Sequence, residues 1–231
     1  MGHTSNTALE NRLREFIRYT ELQQLAYNVA AMQQEKMFHS LAVLSFLPAE
    51  GKTLFCAAMA KSYMETCRTK VLVVDTTTFQ NKGSLDLKEC FNGSSPEVHV
   101  ASLEELRRES IGWGSSPAEW RSGKTAVLEG EIVRERPPNA TLSRENDFSL
   151  IKNAAEDRSK QYGLVILDTA PLEAKNRSNV DPLLVARLSD ASVVVVSRKL
   201  LQAPKLGASL KVLEDPSLHL IGMISNEAHC L

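Results

Sequence analysis

Apolar residues along this chain switch between helical spacing and short unbroken runs. From Leu9 to Val29 they recur at three- and four-residue intervals, which predicts a helix that ends near Met37. The pattern that follows predicts a buried strand, a helix and a second strand, at 39–46 (HSLAVLSF), 51–66 (GKTLFCAAMAKSYMET) and 70–75 (KVLVVD). Strands that alternate with helices are typical of a parallel sheet with helices on its faces.

The same alternation returns in the last third of the chain. It predicts a helix at 147–161, a strand at 162–168, a helix at 181–189 and a strand at 191–197. A helix that ends near Glu214 and a last strand at 220–225 follow. Residues 80–146 carry many turn signals and are predicted to be mostly loop, with one short helix near 102–109. The predicted fold is α/β, a doubly wound and mostly parallel sheet. Residues 1–37 are predicted to form a helical segment packed on one domain, residues 38–231.

Composition narrows the possible functions only a little. The chain has 231 residues, 43% of them hydrophobic, which is enough for one sizeable core. A formal net charge of −1 gives no sign of a nucleic-acid partner. The four cysteines form no C-x-x-C pair and are expected to be free thiols. No run approaches the ~18 apolar residues of a membrane span, and the N-terminus lacks the apolar core of a signal peptide, so the chain is expected in the cytoplasm.

The segment SFLPAEGKT, residues 45–53, joins the first predicted strand to the helix after it. Gly51, Lys52 and Thr53 match the end of the phosphate-binding signature G-x-x-x-x-G-K-S/T, whereas Phe46 stands at the first glycine. In such a loop the backbone N–H groups surround a phosphate, the lysine reaches the β- and γ-phosphates, and the hydroxyl binds Mg²⁺. The segment therefore predicts ATP and Mg as ligands. The residues predicted to contact the nucleotide are Pro48, Ala49, Glu50, Gly51, Lys52, Thr53 and Leu54.

Two of the predicted strands end in an aspartate. Asp75 follows VLVV, and Asp168 follows LVIL. In a doubly wound sheet, ligands bind beyond the carboxyl ends of the strands, where a carboxylate holds Mg²⁺ through water or orients the nucleophile. We therefore predict Lys52, Asp75 and Asp168 as the catalytic residues, and Thr53 and Asp168 as the magnesium ligands.

In this order the motifs resemble those of the bacterial tyrosine kinases of capsule and exopolysaccharide synthesis, a branch of the MinD/ParA-like P-loop ATPases. The loop of that family reads S-x-x-P-G-x-G-K-S/T, and its matching residues here are Ser45, Pro48, Gly51, Lys52 and Thr53. KVLVVDTTTF resembles the family's D-x-D-x-R motif, and YGLVILDTAP resembles its Y-D-h-h-h-h-D-T-P-P segment, where h is apolar. GMISN resembles the closing strand whose asparagine contacts adenine, which implies that role for Asn226. The resemblance runs from about residue 20 to residue 226.

The chain departs from this family at the second aspartate motif. Thr77 replaces the second acid, and Phe79 replaces the arginine. Removing one well-placed charge from such a site commonly costs about 2.7 to 4 kcal/mol of transition-state stabilisation, or roughly a hundredfold to a thousandfold in rate. The departures therefore predict nucleotide binding with slower phosphoryl transfer. Lys52 itself is expected on a solvated loop.

Two further departures concern assembly. The family's ring-forming E-x-x-R-x-x-R motif falls on ELQQLAY, where Glu21 is kept but Gln24 and Tyr27 stand at the arginine positions. A homo-oligomer is therefore left open. The family also phosphorylates a tyrosine-rich C-terminus, whereas Tyr162 is the last tyrosine of this chain.

Three functions are compatible with these residues. The first is a weak ATPase or tyrosine-kinase-like enzyme that acts on a partner. The second is a catalytically degenerate module that regulates a polysaccharide-export complex. The third, a MinD/ParA-type positioning ATPase, ranks last because the additional lysine of K-G-G-x-G-K-T is missing before Pro48. The resemblance implies a membrane partner similar to the polysaccharide chain-length regulators, through which the chain would be peripheral to the inner membrane.

Overall fold

A computed structural model describes the parts of the chain that form the sheet and most of its surrounding helices. The described residues are 13, 20–36, 38–77, 87–91, 97–102, 105, 161–173, 179–197 and 206–226. The helix predicted at 147–161 lies outside these residues apart from Gln161, and only Ser102 and Glu105 are described of the short helix predicted at 102–109.

Helices and strands alternate along the described residues, as the apolar pattern predicts. The helices are α1 (Thr20–Lys36), α2 (Lys52–Cys67), α3 (Leu87–Cys90), α4 (Pro182–Leu188) and α5 (Leu206–Val212), with a 3₁₀ helix at Pro216–Leu218. The strands are β1 (Ser40–Ser45), β2 (Val71–Asp75), β3 (Val98–Ser102), β4 (Leu164–Asp168), β5 (Ala191–Ser197) and β6 (Leu220–Asn226).

The six strands form one sheet in the order β3-β2-β4-β1-β5-β6, and every recorded pairing is parallel. The chain passes from β1 outward to β2 and β3, returns to β4 beside β1, and then continues outward on the other side. All strands point the same way, so their C-terminal ends lie along one edge of the sheet. The predicted doubly wound α/β fold is confirmed.

Both faces of the sheet are covered, which explains why its central strands are apolar throughout rather than alternating. In β1, Leu41 and Val43 pack in the core formed with α1 and α2, whereas Ala42 and Leu44 pack in the core formed with α4 and α5. The two-residue period of a strand sends successive side chains to opposite cores. As a result, the ends of β1 and β4 are held rigidly from both sides.

Helix α1 packs on the domain through one face and exposes the other. Leu22, Ala26 and Val29 are buried in the same core as α2. Gln24 and Tyr27, which stand at the arginine positions of the ring motif, lie on the exposed face, and Tyr27 is 61% exposed. The boundary predicted at residue 37 stays a prediction.

One strand lies where the sequence predicts loop. β3 falls inside residues 80–146, which are predicted to be mostly loop with one short helix, and it pairs in parallel with β2 at the edge of the sheet. Its sequence, VHVAS, is short and half polar, and His99 is exposed. An edge strand with one solvated side has a weaker apolar pattern than a central one, and the neighbouring turn residues hide it further.

No helix within the described ranges is long and apolar enough to cross a membrane.

Candidate functional site

The segment between β1 and α2 has the backbone of an anion-binding loop. Ala49 and Gly51 both adopt left-handed backbone angles, with φ of 61° and 84°. Gly51 is the N-cap of α2 and has no side chain to cap it. The first helical N–H donated to a backbone carbonyl is that of Phe55, which bonds Gly51 O at 2.9 Å. The hydrogen bonds within the described part of the chain use none of the N–H groups from Ala49 to Leu54, so these donors are available to a ligand.

Glycine is required at position 51 for two reasons. The left-handed φ disfavours any residue with a Cβ. A Cβ placed there would also lie 2.2 Å from Asn226 Nδ2, closer than the two atoms can approach. Asn226 lies at the end of β6 and donates from Nδ2 to Glu50 O at 2.9 Å. The resemblance assigns Asn226 to adenine, and that role stays a prediction. In this structure its amide fastens the loop to the last strand.

Lys52 is buried at the start of α2, and not on a solvated loop as the sequence suggests. Its side chain is 8% exposed, and its Nζ lies 2.9 Å from Asp168 Oδ1, whose side chain is 3% exposed. The expectation that Lys52 lies in solvent is therefore wrong. The strand order explains the difference, because it places the end of β4 directly beside β1.

Asp75 and Asp168 lie side by side, as their positions at strand ends predict. They are register partners on β2 and β4, so both side chains point to the same face of the sheet. The Asp75 carboxylate accepts hydrogen bonds from Thr77 N at 2.8 Å and from Thr77 Oγ1 at 2.6 Å. The residue that replaces the family's second acid is therefore bonded to the first one. Thr76 joins the two strands by donating from N and Oγ1 to Asp168 O.

A buried thiol lies beneath this charged pair. Cys56 is one turn after Lys52 on α2 and is fully buried. Burial raises the pKa of the Cys56 thiol well above its ordinary value, the neighbouring Asp168 carboxylate raises it further, and Lys52 opposes the shift. The group therefore stays a neutral thiol and acts as a packing residue.

The residues fit a nucleotide with its magnesium ion better than they fit a metal held by protein alone. Within the described ranges, no three His, Cys, Asp or Glu side chains come together as a metal site. Mg²⁺ commonly takes only one or two protein ligands, with phosphates and waters completing its shell. Thr53 in the first turn of α2 and Asp168 at the end of β4 are suited to that smaller role, and their assignment stays a prediction.

Two features of the site are not predicted by the sequence motifs. Ser197, at the end of β5, donates from N and Oγ to Glu50 Oε1, both at 2.8 Å. The segment after β4 lies along the loop, because Leu172 N and Glu173 N donate to Ser45 O and Phe46 O. The sequence carries a weak signal for the contact of Ser197 with Glu50, because Ser197 is a polar residue at the end of the apolar run ASVVVVS.

The fold and the loop together define the class: the chain has the α/β fold of the P-loop NTPases. No family model and no curated protein sequence matches the chain. Its fold matches solved bacterial tyrosine kinase domains, as the motifs predict. The kinase domain of Escherichia coli tyrosine kinase ETK is 19% identical with a TM-score of 0.51, covering 90% of this chain and 74% of that one.

Two other solved structures agree with this match. The BceF tyrosine kinase domain is 18% identical with a TM-score of 0.54, covering 90% of this chain and 76% of that one. The chimerical protein CapA2B2 is 20% identical with a TM-score of 0.52, covering 82% of this chain and 76% of that one. At these identities the likeness establishes a shared fold.

Proposed function

We propose that this protein binds Mg·ATP at the loop between β1 and α2 and acts as a kinase-like ATPase with slow phosphoryl transfer. The observation that carries the proposal is the buried contact of Lys52 with Asp168, directly beside a helix N-terminus whose N–H groups are open. Phosphate oxygens would replace the Asp168 carboxylate as the partner of Lys52, and a magnesium ion would replace Lys52 as the partner of Asp168. Each ligand group carries the same sign of charge as the side chain that it replaces.

Each residue has a specific role in this proposal. The N–H groups of Ala49 through Leu54 and the N-terminal end of α2 would hold the phosphates. Lys52 would neutralise charge on the β- and γ-phosphates, and Asp75 would position the nucleophile. When bound, magnesium neutralises phosphate charge, with Thr53 and Asp168 as its protein ligands. Thr77 Oγ1 donates a hydrogen bond to Asp75 Oδ1 at 2.6 Å. This contact favours a site that binds nucleotide more readily than it transfers the phosphoryl group.

That contact also favours a second candidate, a nucleotide-gated regulatory module. The phosphoacceptor, the membrane partner and any homo-oligomer stay predictions from the resemblance. Calorimetric titration with Mg·ATP and Mg·ADP, followed by phosphate release on the same sample, separates the candidates. Binding with turnover supports the enzyme, binding without turnover supports the regulator, and no binding contradicts both.

The double variant Thr77→Asp with Phe79→Arg is expected to raise phosphate release, because it restores the acid and the arginine of D-x-D-x-R. An increase of roughly a thousandfold per restored charge is the upper limit. Phe79 lies outside the described residues. Thr66→Asp, an exposed position near the end of α2, is the matched control for added charge and should leave phosphate release unchanged. No gain in the double variant would show that the rate is limited elsewhere.

A further inference from the structure

The side chain of Glu50 lies inside the protein, although the residue belongs to a loop shaped to bind anions. Only 2% of Glu50 is exposed. No ion pair of Glu50 occurs among the residues that the structure describes. A buried carboxylate without a cation is costly unless hydrogen bonds satisfy it, and a negative charge beside a phosphate site opposes binding. Its presence there therefore calls for a specific role.

The Glu50 carboxylate is satisfied by four donors from two parts of the fold. Oε2 accepts hydrogen bonds from the N–H groups of Phe46 and Leu47, both at 2.8 Å, which closes the loop on itself. Oε1 accepts from Ser197 N and Ser197 Oγ, both at 2.8 Å, at the end of β5. Asn226 adds a third attachment through Glu50 O at the end of β6. One residue thus joins the loop to two strands.

Phe46 explains why the loop needs this fastening. It stands where the P-loop signature has its first glycine, and its side chain is anchored in the core at 2% exposure. The N–H groups of Phe46 and Leu47 donate to the Glu50 carboxylate, so they are not available to bind a phosphate. The N–H groups from Ala49 onward stay open. The carboxylate therefore separates the donors that shape the loop from those that can bind a ligand.

We propose that Glu50 is a positioning residue for the nucleotide: its carboxylate sets the curvature of the phosphate-binding loop and fixes it against the ends of β5 and β6. The inference rests on the proposed function. It assigns to the side chain a role distinct from the backbone contact that the loop motif predicts for this residue. Neutral glutamine cannot replace the carboxylate, because its NH₂ group would face two of the four groups that donate hydrogen bonds to Glu50, and donors do not bond to one another.

Asp190 provides a matched control at the opposite end of the sheet. Its Oδ2 accepts hydrogen bonds from His39 N at 3.0 Å, Ser40 N at 2.9 Å and Ser40 Oγ at 2.7 Å, where β1 begins. Asp190→Asn thus disrupts a similar cluster far from the loop. If Glu50 only stabilised the fold, Glu50→Gln and Asp190→Asn would both lower the stability, and both would leave the nucleotide affinity unchanged.

The test compares wild type, Glu50→Gln and Asp190→Asn by urea denaturation and by calorimetric titration with Mg·ATP at a temperature where all are folded. Both variants should be less stable. Mg·ATP affinity should fall by roughly tenfold or more in Glu50→Gln only, because misplaced loop donors lose hydrogen bonds to phosphate. Unchanged affinity in a folded Glu50→Gln would overturn the inference while leaving the proposed function intact. A wild type that binds no nucleotide would overturn the proposed function itself.

Ser197→Ala covers the case in which Glu50→Gln does not fold. It removes one donor to Oε1 and leaves Ser197 N in place. We expect a smaller loss of Mg·ATP affinity than in Glu50→Gln, because half of the attachment to β5 remains. Unchanged affinity in Ser197→Ala would count against the coupling of the loop to β5.

Discussion

Replacing Lys52 by methionine is expected to lower the free energy of unfolding by about 3 to 5 kcal/mol. The substitution keeps the length of the side chain but leaves the Asp168 carboxylate buried without its partner at 2.9 Å. An uncompensated charge in that position costs much more than the loss of an exposed ion pair. Urea denaturation of the wild type and the variant measures the difference directly.

Two further variants make the comparison specific. Lys70→Met changes an exposed lysine and should alter stability by no more than about 0.5 kcal/mol. The double variant Lys52→Met with Asp168→Asn should recover most of the loss, because no buried charge remains. If Lys52→Met were as stable as Lys70→Met, the buried ion pair would be ruled out as a feature of the protein in solution.

Gly51→Ala is expected to lower the free energy of unfolding by about 2 to 3 kcal/mol. The left-handed backbone costs about 1 to 2 kcal/mol for alanine, and displacement of Asn226 from Glu50 O costs about 1 kcal/mol more. The new methyl group would force the Asn226 amide aside, since the two would lie 2.2 Å apart. Mg·ATP affinity should fall as well, because the same loop carries the open N–H groups.

Gly207→Ala is the matched control for this substitution. Gly207 lies in α5, and a Cβ there has no neighbour within 4 Å, so alanine should leave stability unchanged or raise it by up to about 1 kcal/mol. Adding Asn226→Ala to Gly51→Ala should cost less than the sum of the two single changes, because both act on one contact. Additive losses would show that Asn226 does not meet position 51.

The central strands could be predicted because they are buried on both faces. β1, β2, β4 and β5 carry apolar runs that stand out from their surroundings, and their observed ends lie within two residues of the predicted ones. β6, at the edge of the sheet and only partly buried, could also be predicted because its sequence LIGMIS keeps an apolar run. β3 could not be found in this way, since an edge strand with an exposed His99 lacks such a run. Apolar periodicity reports burial, and it loses sensitivity where burial is partial.

The site could be predicted in outline but not in its contacts. Local motifs place Lys52 at the start of a helix and the two aspartates at strand ends. The ion pair joins residues 116 positions apart and depends on β4 returning beside β1, which no local pattern records. The inward direction of the Glu50 side chain depends on Ser197, another distant partner.

Binding of Mg·ATP at Lys52 and Asp168 is tested most directly by calorimetric titration of the wild type and the Lys52→Met/Asp168→Asn double variant. The double variant is expected to keep the fold and lose the two charged groups that would meet the phosphates and the metal ion. We predict saturable binding to the wild type and to Lys70→Met, with none to the double variant. Equal affinity in the wild type and the double variant, or no binding to the wild type, would contradict it.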